Sequence, residues 1–146
     1  MEKTTIVRLS DITAPLWNSV LIMRAQAFVV EQHCCYQDAD DLDVDAYHVL
    51  LQNNKNLIAY ARIIVGNSHV AIGRVVVDSQ HRNMGYGHML MRSCLTWVTE
   101  NFTRLPIKIS AQAYLIPFYK KLRFVERGSI YLEDGIPHIE MIFEQT

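Results

Sequence analysis

Two glycines one residue apart stand in the segment Arg82-Asn83-Met84-Gly85-Tyr86-Gly87, between a β-branched run at 75–77 and a run that suits a helix. A residue without Cβ lets a ligand approach the backbone, and the free N–H groups at a helix N-terminus favour an anion such as a pyrophosphate. No Lys-Ser/Thr pair follows, and position 90 is Leu, so neither common nucleotide-loop pattern fits. The spacing indicates an anion-binding turn, with a plain tight turn as the alternative.

Metal-binding residue types are present without a metal-binding pattern. Five aspartates fall within 38–45, and residues 41–46 have the first three spacings of an EF-hand loop, but Ala46 and Gln52 occupy its glycine and glutamate positions. We expect a solvated acidic loop there, one that could attract a cationic amine. The run His33-Cys34-Cys35 has ligands too close together for one tetrahedral ion, so no metal site is predicted.

The composition predicts one globular domain spanning residues 1–146, with half of its residues apolar. Lys and Arg total 14 against 15 Asp and Glu, without a basic stripe, which argues against nucleic acid as a partner. The first 17 residues lack a long apolar stretch, so neither a signal peptide nor a membrane anchor is expected. Three cysteines, two of them adjacent, fit a reduced, cytoplasmic chain.

Hydrophobic periodicity and turn residues predict the elements that must position these residues. An apolar face at helical spacing indicates a first helix over 16–32, and the acidic loop follows it at 34–47. The predicted order is β-α-β-β-β-α-β-α-β-β, a mixed α/β (α+β) sheet without linker or repeat. Strands are expected at 4–9, 47–52, 57–65, 70–78, 107–112, 124–132 and 137–145, and further helices at 87–101 and 114–122.

The segment at 75–87, following the third strand of an antiparallel meander, resembles motif A of the GNAT superfamily, the acyl-CoA-dependent N-acetyltransferases. Residues 111–128 look like the later motif of that family, in which a strand leads into a short helix carrying Phe-Tyr. Residues 23–43 and 134–141 are similar to the ElaA-type subgroup. The chain departs from these patterns at Arg123, where the family has Gly before Phe, and at Cys35, where the subgroup has Pro.

The resemblance implies a GNAT fold and transfer of an acetyl group from acetyl-CoA, the co-substrate, to a primary amine by direct attack. It places the backbone of Val75 and Val77 against the pantetheine arm. Tyr119 matches the position whose phenol protonates the departing thiolate, with a core aromatic as the alternative. The pyrophosphate contacts that it implies come from Arg82, Asn83, Met84, Gly85, Tyr86, Gly87 and His88.

The general base stays open at this point, because no Glu stands on the 71–78 strand where some family members have one. Glu31, His48, His138 and Glu140 are the candidates, because their segments border the expected acceptor side. Of these, His138 has the most suitable ordinary pKa, that of an imidazole, about 6.5.

Arg74 is expected to form a buried ion pair with Glu31 or an aspartate, and an anchor for a substrate carboxylate is the alternative. An exposed C-terminal strand could pair with a second copy to form a homodimer. A catalytically inactive acyl-CoA-binding module and an ATP- or dinucleotide-binding domain are the alternative functions.

Overall fold

The computed structural model describes residues 1–145. Seven strands and three helices follow the predicted order, with short 3-10 turns between some of them. The strands are β1 (Glu2–Arg8), β2 (Tyr47–Asn53), β3 (Asn56–Val65), β4 (Val70–Val77), β5 (Ile107–Gln112), β6 (Phe124–Glu133) and β7 (Ile136–Phe143). The helices are α1 (Ala14–Ala25), α2 (Tyr86–Asn101) and α3 (Ile116–Lys121). None of the helices in this part of the chain is long and apolar enough to cross a bilayer.

All seven strands form one mixed sheet in the order β1-β2-β3-β4-β5-β7-β6. Neighbouring strands are antiparallel except β4 and β5, which run parallel. The parallel pair is short, with register partners only at Val70–Ile107 and Ala71–Lys108. Beyond these residues the two strands diverge, so the middle of the sheet opens into a gap.

Alternation along the strands sends apolar side chains to both faces of the sheet. On one face, α2 and α3 cover the larger core, into which Leu90, Met91 and Tyr119 pack. On the other face, α1 covers a smaller core around Val20 and Tyr60. Thr13 caps the start of α1 by accepting a hydrogen bond from the Leu16 N–H at 3.4 Å.

Two of the predicted elements differ in the structure, and the departure at Arg123 has a structural counterpart. The first helix changes to π-helical geometry at Gln26–Glu31, where the sequence predicted continuous α-helix. The C-terminal strand β7 is not an edge strand, because it pairs with both β5 and β6; the exposed edge at that end is β6. Arg123 takes the left-handed conformation, φ 75°, so α3 ends there without the family's glycine.

The acidic segment is not a solvated loop, as the sequence predicted, but part of a largely buried ion-pair cluster. We call it the Arg–Asp cluster; its members are Arg24, Arg62, Arg74, Asp38, Asp40 and Asp43. Of the five aspartates in this segment, only Asp41 and Asp45 are exposed. The expectation failed because the three arginines come from α1, β3 and β4, which meet the loop only in the folded chain.

Arg24 is the centre of this cluster and is fully buried. Its Nε lies 2.9 Å from Asp38 Oδ2 and its Nη1 lies 2.8 Å from Asp43 Oδ1. Burial alone would raise the pKa of Asp43, but hydrogen bonds from Arg24 and Arg62 outweigh it and hold that pKa below its ordinary value. The cluster is therefore charged, and its charges are matched by short contacts.

Arg74 extends the cluster to the sheet, as the ion-pair expectation for this residue predicted. Its Nε lies 2.9 Å from Asp38 Oδ1 and its Nη2 3.4 Å from Asp40 Oδ2. Arg74 sits at φ 50°, where the register between β3 and β4 shifts. The ion pairs thus hold a strained residue of β4 against the loop.

His48 lies beneath the cluster and is fully buried. Its Nε2 is 2.9 Å from the Asp43 carbonyl, which can only accept, so Nε2 carries the proton. Its Nδ1 then accepts from the Tyr60 hydroxyl at 2.6 Å. Both ring nitrogens are committed to structural hydrogen bonds, which removes His48 from the candidates for proton transfer to a substrate.

We expect the stability of the protein to fall between pH 7 and pH 5 because of His48. Burial lowers the pKa of its imidazole in the native state, so the unfolded chain takes up the proton first as the pH falls through about 6.5. Urea unfolding should show a loss approaching about 1.4 kcal/mol per pH unit for this one proton. His48→Gln should be less stable at pH 7 but show a weaker pH dependence.

The matched control is the exposed His33, because His33→Asn keeps a residue that tolerates its φ of 53°. This variant should retain the pH dependence of the unmodified chain. An unchanged slope in His48→Gln would show that His48 is not the titrating group.

Candidate functional site

A cleft of about 1290 Å³ occupies the gap between β4 and β5. Val75 and Val77 of β4 line one side, where β5 no longer pairs with β4. The backbone on this side of β4 could therefore pair with an extended ligand as an added strand does. One of its carbonyls, that of Val77, already accepts a hydrogen bond from Arg82 Nε at 3.2 Å. The other walls come from the π-helical segment that follows α1, the turn before α2, helix α3 with the residues just before it, and the β5-β7-β6 part of the sheet.

The turn before α2, which we call the anion turn, has the geometry of an anion site; it comprises residues 82–88, including the first residues of the helix. Gly85 takes φ 84° and caps the helix, and the first helical bond runs from the Met89 N–H to the Gly85 carbonyl at 3.1 Å. The N–H groups of Tyr86, Gly87 and His88 precede this bond and have no acceptor within the helix. Together with the helix dipole they favour a negatively charged group at the cleft.

The two glycines lack a side chain for different structural reasons. A Cβ at Gly87 would meet Phe118 Cζ at 3.5 Å and Val77 Cγ2 at 3.6 Å, which are ordinary contacts. A Cβ at Gly85 would meet nothing within 4 Å, but the left-handed backbone there strains any other residue. Gly85 therefore sets the turn, and Gly87 keeps the helix start open to a ligand.

Arg82 faces Glu31 across the mouth of the cleft. Arg82 Nη1 donates to Glu31 Oε2 at 2.9 Å, and Nη2 donates to Oε1 at 3.0 Å. The hydrogen bonds from Arg82 lower the pKa of Glu31. A carboxylate held in this bidentate pair is a weak proton acceptor, and the pair joins the π-helical end of the first helix to the anion turn.

Tyr119 lines the cleft with a phenol that has no protein partner. Its side chain is buried, packed against Phe118 and Phe124 at ring distances of 5.0 and 5.8 Å. Among residues 1–145 its hydroxyl makes no hydrogen bond, and its oxygen is open to the cleft. Burial raises the pKa of Tyr119 above its ordinary range, so the phenol stays protonated and can donate to a ligand.

His138 lies on the opposite wall, in β7. Its Nδ1 donates to the Ile136 carbonyl at 2.7 Å, because a carbonyl only accepts. The lone pair of the neutral ring is therefore on Nε2, which lies 3.5 Å from Glu133 Oε2. Glu140, the remaining candidate base, is half exposed, and Lys108 Nζ lies 4.0 Å from it.

The cleft brings together most of the residues that the sequence singled out. Met84 and His48 are the exceptions, because the Met84 side chain is largely exposed and His48 is buried beneath the Arg–Asp cluster. Those in the wall are Glu31, Val75, Val77, Arg82, Asn83, Gly85, Tyr86, Gly87, His88, Tyr119, His138 and Glu140.

The cleft is also lined by Ser110, Tyr131 and Glu133, which were not among the predicted site residues. A signal for the first of them was available. In β5 the polar residues Lys108, Ser110 and Gln112 alternate with apolar ones, which places the polar set on one face.

Comparison with known proteins gives consistent results. The family model for the acetyltransferase (GNAT) domain matches residues 19–145. Protein ElaA of Escherichia coli is 39% identical over 140 residues, covering 92% of each chain. Its crystal structure superposes with a TM-score of 0.92, as does that of an acyl-CoA N-acyltransferase from Pseudomonas aeruginosa. Both structures are 36% identical to the chain and cover 99% of it and 100% of their own length.

A more distant structure comes from a GNAT family acetyltransferase of Elizabethkingia anophelis, with acetyl-CoA bound. It is 13% identical with a TM-score of 0.68, covering 99% of this chain and 98% of its own. At that identity the likeness shows the fold alone.

The two glycines of the turn should respond oppositely to alanine. Gly85→Ala should lower the free energy of unfolding by about 1–2 kcal/mol, because the left-handed backbone strains an L-residue. Gly87→Ala should be neutral or stabilise by up to about 1 kcal/mol, since alanine suits a helix better. Urea unfolding at neutral pH measures both. Equal losses in the two variants would contradict the assignment of the strain to Gly85.

Proposed function

Because the chain belongs to the acetyltransferase (GNAT) family and is of the ElaA type, we propose that it transfers an acetyl group from acetyl-CoA to a primary amine of a small molecule or peptide by direct attack. The family carries out acyl transfer from acyl-CoA. The observation that carries the proposal is Tyr119, a protonated and unpartnered phenol in the wall of the cleft. A proton donor of this kind suits a reaction that expels a thiolate.

Acetyl-CoA fits the two open backbone features of the cleft. The unpaired side of β4 at Val75 and Val77 would pair with the amides of the pantetheine arm. The turn from Asn83 to His88 would hold the pyrophosphate through its N–H groups, with Arg82 adding positive charge. The thioester would then lie between the anion turn and the acceptor side of the cleft.

The transfer needs one proton acceptor and one proton donor. His138 Nε2 would accept a proton from the acceptor ammonium, and the neutral amine nitrogen would attack the thioester carbon. The C–N bond forms, the C–S bond breaks, and the electron pair goes to the CoA sulfur. As the amide forms, the nitrogen would release its second proton to solvent. Tyr119 would donate its proton to the sulfur and recover one from solvent, and His138 would release its proton to solvent. Glu31 would hold Arg82 rather than transfer protons, given its lowered pKa.

A catalytically inactive acyl-CoA-binding module is the second candidate. It would require the same anion turn and the same open strand but no proton donor at the thioester. The placement of Tyr119 and His138 in one cleft favours the enzyme.

Tyr119→Phe should lower kcat by about 10²-fold or more, because it removes the proton donor but keeps the ring packing. Affinity for acetyl-CoA should stay the same. A thiol-release assay with a panel of primary amines measures the rate, and Tyr47→Phe serves as control because Tyr47 packs against Trp97 outside the cleft. A full rate in Tyr119→Phe would remove this residue from the mechanism. Binding without turnover in the unmodified chain would favour the binding module.

Isothermal titration tests the co-substrate directly. Acetyl-CoA should bind in the micromolar range, about −8 kcal/mol, and ATP and NADH should not compete. Glu31→Gln should tighten acetyl-CoA binding by about two- to fivefold, the scale of an exposed ion pair, because Arg82 is freed for the pyrophosphate. Binding of acetyl-pantetheine, which lacks the pyrophosphate, should not change. Weaker acetyl-CoA binding in this variant would show instead that Glu31 preorganises Arg82.

A further inference from the structure

The acceptor side of the cleft is a polar surface built on the sheet. Residues directly opposite each other in β5, β7 and β6 share a face, and the register pairs Ser110 with Glu140 and His138 with both Gln112 and Tyr131. The opposite face of the same strands is apolar core. We call this surface the polar wall; its members are Ser110, Gln112, Tyr131, Glu133, His138 and Glu140, and all of them line the cleft.

When its ring is neutral, His138 presents an unfilled acceptor, Nε2, to the cleft. Its side chain is 7% exposed, and its Nδ1 proton is already donated to the Ile136 carbonyl. In the neutral ring, Nε2 and Glu133 Oε2 are then two acceptors facing each other at 3.5 Å. No other group in residues 1–145 donates to Nε2. A ligand with several N–H donors, such as an ammonium group, would satisfy both atoms at once.

Glu133 is held in place for this contact. Ser110 Oγ donates to Glu133 Oε1 at 3.4 Å, and the Tyr131 hydroxyl is hydrogen-bonded to Ser110 in turn. The Tyr131 ring stacks on His138 with centroids 6.1 Å apart. One carboxylate oxygen is thus used within the wall, and the other is left beside His138 Nε2.

The charges around the wall discriminate against a carboxylate on the acceptor. Glu133, Asp134 and Glu140 line the cleft together with two lysines, Lys121 and Lys108, the latter 4.0 Å from Glu140. Arg127 stands opposite Glu140 in the register but does not line the cleft. The arginines that also reach the cleft from β3 and β4 are engaged by aspartates of the Arg–Asp cluster. An acceptor carboxylate would meet net negative charge, and within residues 1–145 each guanidinium that lines the cleft is already paired with a carboxylate.

We propose that Glu133 and His138 together bind the ammonium group of the acceptor, and that the acceptor is a small aliphatic amine or diamine without a carboxylate. This inference rests on the proposed function, since it names the acceptor class of that reaction. Glu133 holds the ammonium by charge, and His138 Nε2 takes the proton that must leave before the nitrogen attacks. Tyr119, whose unpartnered hydroxyl lines the same cleft, stands on the thioester side.

Ligand binding can be tested without acetyl-CoA. The proton signals of the His138 ring, assigned by their loss in His138→Gln, are followed by NMR while 1,4-diaminobutane or 4-aminobutyrate is added. The two probes have the same chain length and differ in one end group. The diamine should shift the signals and saturate, and the amino acid should not do so over the same range. Equal responses would overturn the proposed acceptor class.

Kinetics with the acetyl-CoA-loaded protein tests the role of Glu133. Glu133→Gln should raise the KM for 1,4-diaminobutane by about tenfold or more, because the charge-assisted contact is lost, and leave acetyl-CoA affinity unchanged. Glu133→Asp should recover part of the loss. Glu126→Gln is the matched control on the same strand, since Glu126 pairs with Lys120 and does not line the cleft.

The outcomes separate this inference from the proposed function. A diamine response at His138 without acetyl-CoA binding or turnover would overturn the acetyl transfer and keep the amine site. Turnover with equal KM values in Glu133→Gln and Glu126→Gln would keep the enzyme and overturn the role of Glu133.

Discussion

The ion pairs of Arg24 with Asp38 and Asp43 are the interaction on which the cleft depends. Arg24 projects from α1 without solvent contact and ties down the loop that follows the π-helical segment. Asp38 also forms an ion pair with Arg74, which lies at the irregular point of β4 and has a positive φ. One network therefore links α1 to the loop and to β4, and the loop and β4 both line the cleft.

Replacing a buried ion network by apolar residues is often tolerated, but removing one partner leaves an unpaired buried charge that costs about 3–5 kcal/mol. Here the members come from four separate elements, so loss of one charge would affect all of them. The cluster also uses the arginines, Arg62 and Arg74, that would otherwise be free cations in the cleft. The same contacts that hold the loop therefore decide the sign of the charge that a ligand meets.

The sequence predicted the element order because each element carries a local signal. Alternating apolar residues mark the strands, and the Asp134-Gly135 turn between β6 and β7 takes positive φ at both positions, as a two-residue hairpin of this composition should. The Arg–Asp cluster had no such signal, since Arg24 and Asp43 are 19 residues apart and Arg74 and Asp38 are 36 apart. A run of aspartates is read as solvated unless the positions of its partners are known.

The anion turn could be predicted from the sequence and the polar wall could not, because one is built from backbone groups and the other from side chains. The turn works through backbone N–H groups, so its signal is the glycine spacing, and Met84 can point outward without consequence for it. The wall works through side chains on three strands, and a one-residue change in register would send them to the other face. The hairpin turn fixes that register and so brings Glu133 beside His138. No sequence pattern predicts that these two residues are in contact. A family can therefore keep the backbone half of such a cleft and change its acceptor by exchanging the side chains of the other half.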